Sequence, residues 1–190
     1  MKVGVLALQG DVREHLQLLK DIGATSTGVK TIEHLEDVDA LVIPGGESTT
    51  ISLLLDEHDM IEPLRKRIAD GMPVLGTCAG AILLAREVIG GGDRDWPRIG
   101  VLDAKVLRNG YGRQVESFEE SLEVTGVGTV EAIFIRAPVI ESVGDDVDVL
   151  ATTHDHPCVV RQRNILAATF HPELSGDAGL HRYFVEKASA

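Results

Sequence analysis

The sequence has few cysteines, no excess of basic residues and no long apolar run. Its 190 residues include only Cys78 and Cys158. Two cysteines are too few for a disulfide framework, and a lone thiol in an intracellular enzyme is a candidate nucleophile. The net charge of -12 argues against nucleic acid as a partner. No stretch reaches the roughly 20 apolar residues of a membrane span, and the apolar run at the N-terminus ends too early for a secretory signal. We therefore expect a cytoplasmic protein without a membrane partner.

Repeats and linker-like segments are also absent, so we expect a single domain over residues 1–190. Strand-like and helix-like segments alternate in the first half, as in VGVLAL, DVREHLQLLKDIG, ALVIPGG, ESTTISLLLDEH and MPVLGT. This alternation is typical of a parallel sheet covered by helices, whereas the second half is rich in short strands. We predict an α/β fold, a three-layer sandwich with a mixed, mostly parallel central sheet and antiparallel additions in the second half.

Three local predictions concern the helix ends and the chain after Cys78. Asp11, with Glu14 three residues later, has the spacing of a capping box at the start of the first helix. Ser48 is placed to cap the helix after the PGG turn. The helix that Cys78 opens should lead directly into the polar loop GGGDRDWPR.

The stretch GTCAG places a cysteine between a buried strand and an apolar helix. Its spacing copies the G-x-S-x-G elbow, with sulfur in place of oxygen, in which the flanking glycines relieve crowding at a sharp turn. The free N–H groups at a helix N-terminus favour the thiolate form of Cys78. The next N–H group, of Ala79, points to where an oxyanion would form. A small core cysteine in an ordinary glycine turn is the alternative interpretation.

The stretch FHPEL supplies a base for this thiol. Proline favours an extended conformation at the preceding residue, and positions i and i+2 of an extended chain share a face. His171 and Glu173 are therefore predicted to lie side by side. A carboxylate beside an imidazole fixes its tautomer and stabilises the imidazolium, which a cysteine acyl-transfer site requires.

The turn in LVIPGGESTT is a candidate for the rest of the oxyanion site. If its strand neighbours the cysteine strand, the N–H of Gly46 could be a second oxyanion donor. The alternative is a plain glycine turn.

Other histidines and the second cysteine have simpler interpretations. The histidines of HDHP are expected in a hairpin turn, because no third metal ligand is evident. His15 is expected to be structural or interfacial, and Cys158 an inert core thiol.

Six stretches together carry a resemblance to a known family: ALQGDVREH, PGGESTT, GTCAG, RNGYGRQVESFE, FIRAP and FHPEL. The sequence resembles the triad-type glutamine amidotransferases. Within them it is similar to the glutaminase subunits of pyridoxal 5'-phosphate synthases, the vitamin B6 branch. The resemblance implies a flavodoxin-like sheet and the hydrolysis of L-glutamine to glutamate and ammonia.

The resemblance also implies roles for particular residues. Cys78 would attack the glutamine carboxamide, His171 would transfer the proton to departing ammonia, and Glu173 would orient His171. The N–H groups of Gly46 and Ala79 would form the oxyanion hole. Glutamine would be bound by Gly46, Glu47, Ser48, Arg108, Ile135 and Arg136.

The implied partner is the synthase subunit, in a hetero-oligomeric complex that receives the ammonia. No cofactor and no metal are expected on this chain. Two alternatives remain open. One is a cysteine hydrolase or chaperone-like protein of a related α/β group, although those place a histidine directly after the cysteine, where this chain has Ala79. The other is a non-catalytic subunit that keeps the fold only for assembly.

Overall fold

The computed structural model describes residues 1–90, 96–111 and 117–189. Its strands are β1 (Lys2–Leu6), β2 (Thr25–Val29), β3 (Ala40–Ile43), β4 (Val74–Thr77), β5 (Ala85–Ile89), β6 (Leu102–Leu107), β7 (Ser117–Val124), β8 (Gly128–Ile135), β9 (Val139–Val143), β10 (Asp148–Thr153), β11 (His156–Gln162) and β12 (Ile165–Ala168). Its helices are α1 (Val12–Asp21), α2 (Ile32–Glu36), α3 (Ser48–Glu57), α4 (Ile61–Ala69), α5 (Ala79–Leu84), α6 (Pro172–Ser175) and α7 (Gly179–Ala188).

The central sheet has the strand order β10-β11-β12-β4-β3-β1-β2. The neighbours from β2 to β12 pair in parallel, and β11 pairs antiparallel with both β12 and β10. The parallel part follows the flavodoxin-like order, since β12 takes the place of a fifth strand. Two small sheets, β5-β6-β9 and β7-β8, complete the fold. The predicted mixed, mostly parallel sheet with late antiparallel additions is confirmed.

Both faces of the central sheet are buried. Successive residues of β3 illustrate this, because Leu41 belongs to one core cluster and Val42 to the other. The first cluster includes residues of α2 to α5 and of the β5-β6-β9 sheet. The second includes residues of α1, α7 and the β7-β8 pair. Side chains alternate across a strand, so β1, β3, β4 and β12 each contribute to both cores and the sheet forms the middle of three layers.

Several local expectations were wrong. The Asp11 side chain makes no capping hydrogen bond at the start of α1. The N-cap of α3 is Glu47 rather than Ser48, because the longer carboxylate accepts hydrogen bonds from the N–H groups of Thr49 and Thr50. The chain does not pass from α5 straight into the polar loop, since β5 follows that short helix and pairs with β6.

Other expectations hold in the described residues. His154 and Asp155 have φ of 47° and 64° and connect β10 to β11, which is the two-residue hairpin geometry with positive φ at both turn positions. Residues 91–95 of the polar loop and residues 112–116 of the RNGYGRQVESFE motif lie outside the described part of the chain. Among the helices described, none is long and apolar enough to cross a membrane.

Candidate active site

Cys78 lies at a sharp junction between β4 and α5. It is the N-cap of α5, with φ of 46° and ψ of -103°, a conformation that costs a non-glycine residue about 1–3 kcal/mol. Its N–H donates to the carbonyl of Ala168 in β12 at 2.9 Å. This bond to the neighbouring strand helps to hold the strained junction. The thiol therefore stands on the elbow that the GTCAG spacing predicts.

The glycines on either side of Cys78 allow α5 to pack directly against the sheet. A Cβ on Gly80 would lie 2.1 Å from the carbonyl oxygen of Ile43, and one on Gly76 would lie 2.8 Å from the carbonyl oxygen of Gly80. Neither backbone oxygen can yield without a shift of the helix or a strand. The close approach therefore requires glycine at both positions, neither of which has a positive φ.

His171 and Glu173 are paired behind the cysteine. His171 Nδ1 lies 2.6 Å from Glu173 Oε1, and both side chains are buried. The predicted pairing is present, but its geometry differs from the expectation, because Glu173 lies in the first turn of α6 and not in an extended segment. The His171 N–H donates to the carbonyl of Ile133 in β8 at 2.8 Å. His171 is thus held from two sides.

Asp11 is a second carboxylate beside the same imidazole. Its Oδ2 lies 3.3 Å from His171 Nδ1, and its side chain is about one-third exposed. Asp11 is the N-cap residue of α1, as predicted, but this contact explains why its side chain makes no capping hydrogen bond, since it is directed to a histidine far away in the sequence. With Glu173 and Asp11 at Nδ1, the other ring nitrogen, Nε2, is left for Cys78.

The surroundings of His171 favour its charged form. Burial alone would lower the pKa of His171, but hydrogen bonds with Asp11, Cys78 and Glu173, together with the charge of Cys78, raise it well above its usual value. Burial raises the pKa of Glu173, while the hydrogen bond and charge of His171 oppose that rise. This arrangement suits an imidazolium that lies beside the nucleophile and is backed by a carboxylate.

The PGG turn lies next to the cysteine because β3 and β4 are neighbours. The Gly45 N–H donates to Thr77 Oγ1 at 3.1 Å, and the Gly45 carbonyl accepts from the Asp11 N–H at 3.2 Å. Because the carbonyl and N–H of a trans peptide point in opposite directions, the Gly46 N–H faces away from Asp11. Gly46 has φ of 149°, and a Cβ there would lie 2.7 Å from Gln9 Oε1.

An open cleft of about 350 Å³ joins these parts, a size in the range of small-molecule sites. All the residues predicted to bind glutamine line it, together with Cys78, Ala79 and His171. Sequence reasoning did not assign four further lining residues, which are Asp11, Ile82, Asn109 and Leu174. Glu173 is not among the lining residues, as suits a group that acts through His171.

Arg108 is held at the mouth of this cleft. Its Nη2 lies 3.3 Å from Glu47 Oε1, and its guanidinium carbon lies 4.3 Å from the centre of the Trp96 ring. No sequence pattern indicates the contact between Trp96 and Arg108. Partial burial alone would raise the pKa of Glu47. Hydrogen bonds from Thr50 and Thr49 and the charge of Arg108 outweigh this effect and lower the pKa. Arg108 therefore presents a fixed cation to the cleft.

One group of the described residues could hold a metal ion, because its ligand atoms lie within 4.8 Å of one another. The group consists of Asp11, His171 and Glu173. The His171 nitrogen that would have to bind the ion is already hydrogen-bonded to Glu173. The pairing of His171 with Glu173 thus has an explanation without a metal, and the lack of a metal stays a prediction.

Cys158 is fully buried, and burial raises the pKa of its thiol to about 12, as befits an inert core cysteine.

A nucleophilic thiol on a strand–helix elbow, paired with an imidazole and a carboxylate on a parallel sheet, defines the class of cysteine acyl-transfer enzymes. The sequence model of the SNO glutamine amidotransferase family matches residues 5–190. The chain belongs to this family, which confirms the resemblance drawn from the six stretches. Membership decides against the related α/β group that has a histidine after the cysteine.

Individual relatives agree with this assignment over nearly their full length. The pyridoxal 5'-phosphate synthase subunit PdxT of Thermus thermophilus is 54% identical over 187 residues, which cover 98% of this chain and 97% of that protein. The protein of the same name from Mycolicibacterium vanbaalenii is 54% identical over 191 residues, or 99% and 98% of the two chains.

Solved structures match as well. The crystal structure of a glutamine amidotransferase superposes with a TM-score of 0.93 at 53% identity and covers 99% of each chain. PurLQS from Thermotoga maritima reaches a TM-score of 0.67 at 15% identity, covering 97% of each chain. At that identity the second likeness supports the fold alone.

Proposed function

We propose that this chain hydrolyses L-glutamine to glutamate and ammonia through a cysteine thioester. The observation that carries the proposal is that Cys78 and His171 line one cleft of suitable size, while His171 is hydrogen-bonded to the buried Glu173. We further propose that the ammonia passes to the synthase subunit of a pyridoxal 5'-phosphate synthase. The names of the relatives in Thermus and Mycolicibacterium support that partner.

The reaction begins with attack of the Cys78 sulfur on the carboxamide carbon. The oxygen becomes an oxyanion, for which the N–H groups of Gly46 and Ala79 are the proposed donors. Collapse of this intermediate breaks the C–N bond, and the His171 imidazolium gives its proton to the departing ammonia. His171 then takes a proton from water, which attacks the thioester and releases glutamate and the thiolate.

Recognition of glutamine needs a cation, because the protein is strongly acidic while the substrate carries a carboxylate. Arg108 and Arg136 line the cleft and can bind that carboxylate. The remaining proposed contacts also line this cleft: Glu47, Ser48 and Ile135. Ser48 is the first residue of α3, so the partial positive charge of that helix end favours the same carboxylate.

Two further expectations belong to this proposal. The chain needs no cofactor of its own, because thiol, imidazole and carboxylate complete the hydrolysis. A hetero-oligomeric complex in the cytoplasm would receive the ammonia where it is released.

Release of glutamate and ammonia from glutamine tests the proposal, with and without the synthase subunit. Cys78→Ala should abolish hydrolysis, because it removes the nucleophile and leaves a small side chain that α5 accommodates. Cys158→Ala is the matched control and should keep at least half the turnover. Ammonium chloride should restore cofactor synthesis to a complex that contains the Cys78→Ala chain.

Each arm has an outcome that contradicts one part of the proposal. Hydrolysis that survives Cys78→Ala would overturn the role of Cys78. A wild-type chain that is inactive even with the synthase would favour the non-catalytic assembly subunit. Failure of ammonium to restore synthesis would contradict the division of labour between the two subunits.

A further inference from the structure

A row of buried polar side chains continues behind Glu173 into the core. His15 of α1 and His181 of α7 are both completely buried, and His15 Nδ1 lies 2.7 Å from His181 Nε2. His15 Nε2 lies 3.1 Å from Thr77 Oγ1 and 3.5 Å from Glu173 Oε2. Glu173 Oε2 is buried and makes no hydrogen bond of normal geometry to any described residue. The second oxygen of the proposed orienting carboxylate therefore faces one edge of the His15 ring.

The contacts favour one tautomer of His15. A carboxylate oxygen accepts hydrogen bonds, so a lone pair on Nε2 facing Glu173 Oε2 would be repelled by it. A proton on Nε2 instead donates to Thr77 Oγ1 and faces Glu173 Oε2 across the 3.5 Å contact. His15 Nδ1 then accepts from the Nε2–H of His181. His181 thereby fixes the tautomer that presents an N–H to Glu173.

The same contacts join three parts of the site that are far apart in the sequence. Thr77 immediately precedes Cys78, and its hydroxyl oxygen accepts the N–H of Gly45, the residue before Gly46. His15 touches Thr77 on one side and Glu173 on the other. One imidazole thus contacts the cysteine strand and the carboxylate behind the base, and through Thr77 it is connected to the oxyanion turn.

Burial and the neighbouring imidazoles favour a neutral His15 as this donor. His171 and Asp11 are the charged groups that face the carboxylate, and Asp11 repels it. Burial lowers the pKa of His15 well below its usual value, helped by His181 and His171, and burial lowers the pKa of His181 to about 4. A neutral His15 offers a hydrogen bond without placing a second cation beside the His171 imidazolium.

We propose that His15 is a positioning residue whose Nε2–H holds Glu173 and Thr77 in place, with its tautomer set by His181. The inference rests on the proposed glutaminase function and deepens it. His15 does not touch the reacting atoms. It keeps Glu173 ionised and aligned on His171, and it fixes Thr77, which precedes the nucleophile.

Two amide substitutions distinguish the roles of the two ring nitrogens of His15. The amide of glutamine reaches about as far as Nε2, so His15→Gln can still donate to Glu173. The amide of asparagine reaches only as far as Nδ1, so His15→Asn keeps a polar group towards His181 and loses the donor to Glu173. His58→Asn, at an exposed histidine, is the control for the general effect of the substitution.

With the full chain and its synthase subunit, His15→Asn should lower kcat about tenfold, which corresponds to about 1.4 kcal/mol, with KM changed less than about threefold. Without its donor, Glu173 holds a proton more readily, so the acidic limb of the kcat profile should move up by about one pH unit. His15→Gln should keep kcat within about threefold of the wild type and leave the limb in place.

A second readout needs no glutamine. The rate at which iodoacetamide alkylates Cys78, measured against pH in a Cys158→Ala background, reports the thiolate–imidazolium pair directly. The acidic limb of this alkylation profile should move to higher pH in His15→Asn and not in His15→Gln or His58→Asn. This profile tests the inference even if the chain proves inactive on glutamine, in which case the proposed function fails separately.

The inference is overturned if His15→Asn and His15→Gln have the same alkylation profile, or if both lose activity through KM alone. If His15→Asn does not fold, His181→Asn gives the same test at the other end of the row. It should move the limb in the same direction by a smaller amount, because it frees the His15 tautomer without removing the ring. An unmoved limb in His181→Asn would then overturn the inference.

Discussion

Replacement of Glu173 by glutamine removes one buried charge and preserves the shape of the side chain. The bond between His171 Nδ1 and Glu173 Oε1 is 2.6 Å long, and the carboxylate side chain is completely buried. Hydrogen bonds to charged groups contribute about 1.5–3 kcal/mol, and about 1.4 kcal/mol corresponds to a factor of ten in rate. Because the imidazolium that this charge stabilises gives its proton to ammonia, we expect kcat to fall by about 10- to 150-fold.

The KM for glutamine should change far less, because Glu173 does not line the cleft. Steady-state glutamate release in the presence of the synthase subunit measures both constants, and thermal unfolding shows whether the variant is folded. Glu186→Gln, on the exposed face of α7, is the matched control and should behave as the wild type. A Glu173→Gln chain that keeps more than half of the wild-type kcat, or that loses only affinity, would refute the proposed role of the carboxylate.

Two more substitutions test the cleft and the elbow. Arg108→Ala should raise the KM for glutamine about 10- to 100-fold with a smaller change in kcat, because it removes a charged hydrogen bond to the substrate carboxylate; Arg163→Ala, at an exposed arginine, should change neither. Gly80→Ala should lower the melting temperature by about 3–10 °C, the effect of about 1–3 kcal/mol of overpacking in a chain of this size, because its Cβ would lie 2.1 Å from the carbonyl oxygen of Ile43. A normal KM in the first variant or a normal melting temperature in the second would contradict these assignments.

Much of the fold and the position of the site follow from local patterns in the sequence. Short apolar runs that alternate with helix-like segments predict a parallel sheet, and residues that follow such strands meet at one edge. This is enough to bring GTCAG, PGG and FHPEL together without any knowledge of contacts. The spacing of Gly76, Cys78 and Gly80 also predicts the elbow, although the contact that requires glycine at position 80 is with Ile43, far away in the sequence.

The contacts that could not be predicted depend on partners far away in the sequence. Asp11 has the spacing of a helix cap, but its carboxylate is directed to His171 instead. The hydrogen bond between His15 and His181 joins residues 166 positions apart, and no periodicity of α1 or α7 marks it. The strand β5 contains Ala85, Arg86 and Glu87, which favour helices, and only its pairing with β6 makes it a strand.

The topology of the central sheet explains why so many distant residues reach one site. Four neighbouring strands end at the same edge, and the chain after each of them supplies a part: Asp11 and His15 after β1, the PGG turn after β3, Cys78 after β4 and His171 after β12. Arg108 and Arg136 follow β6 and β8, which belong to the small sheets on opposite sides of the central one. The central layer therefore supplies the nucleophile and its base, and the two outer layers supply the cations. Because these groups rest on different layers, a change in Arg108 should alter substrate affinity without moving Cys78, whereas a change in Glu173 or His15 should alter the chemistry with little effect on affinity.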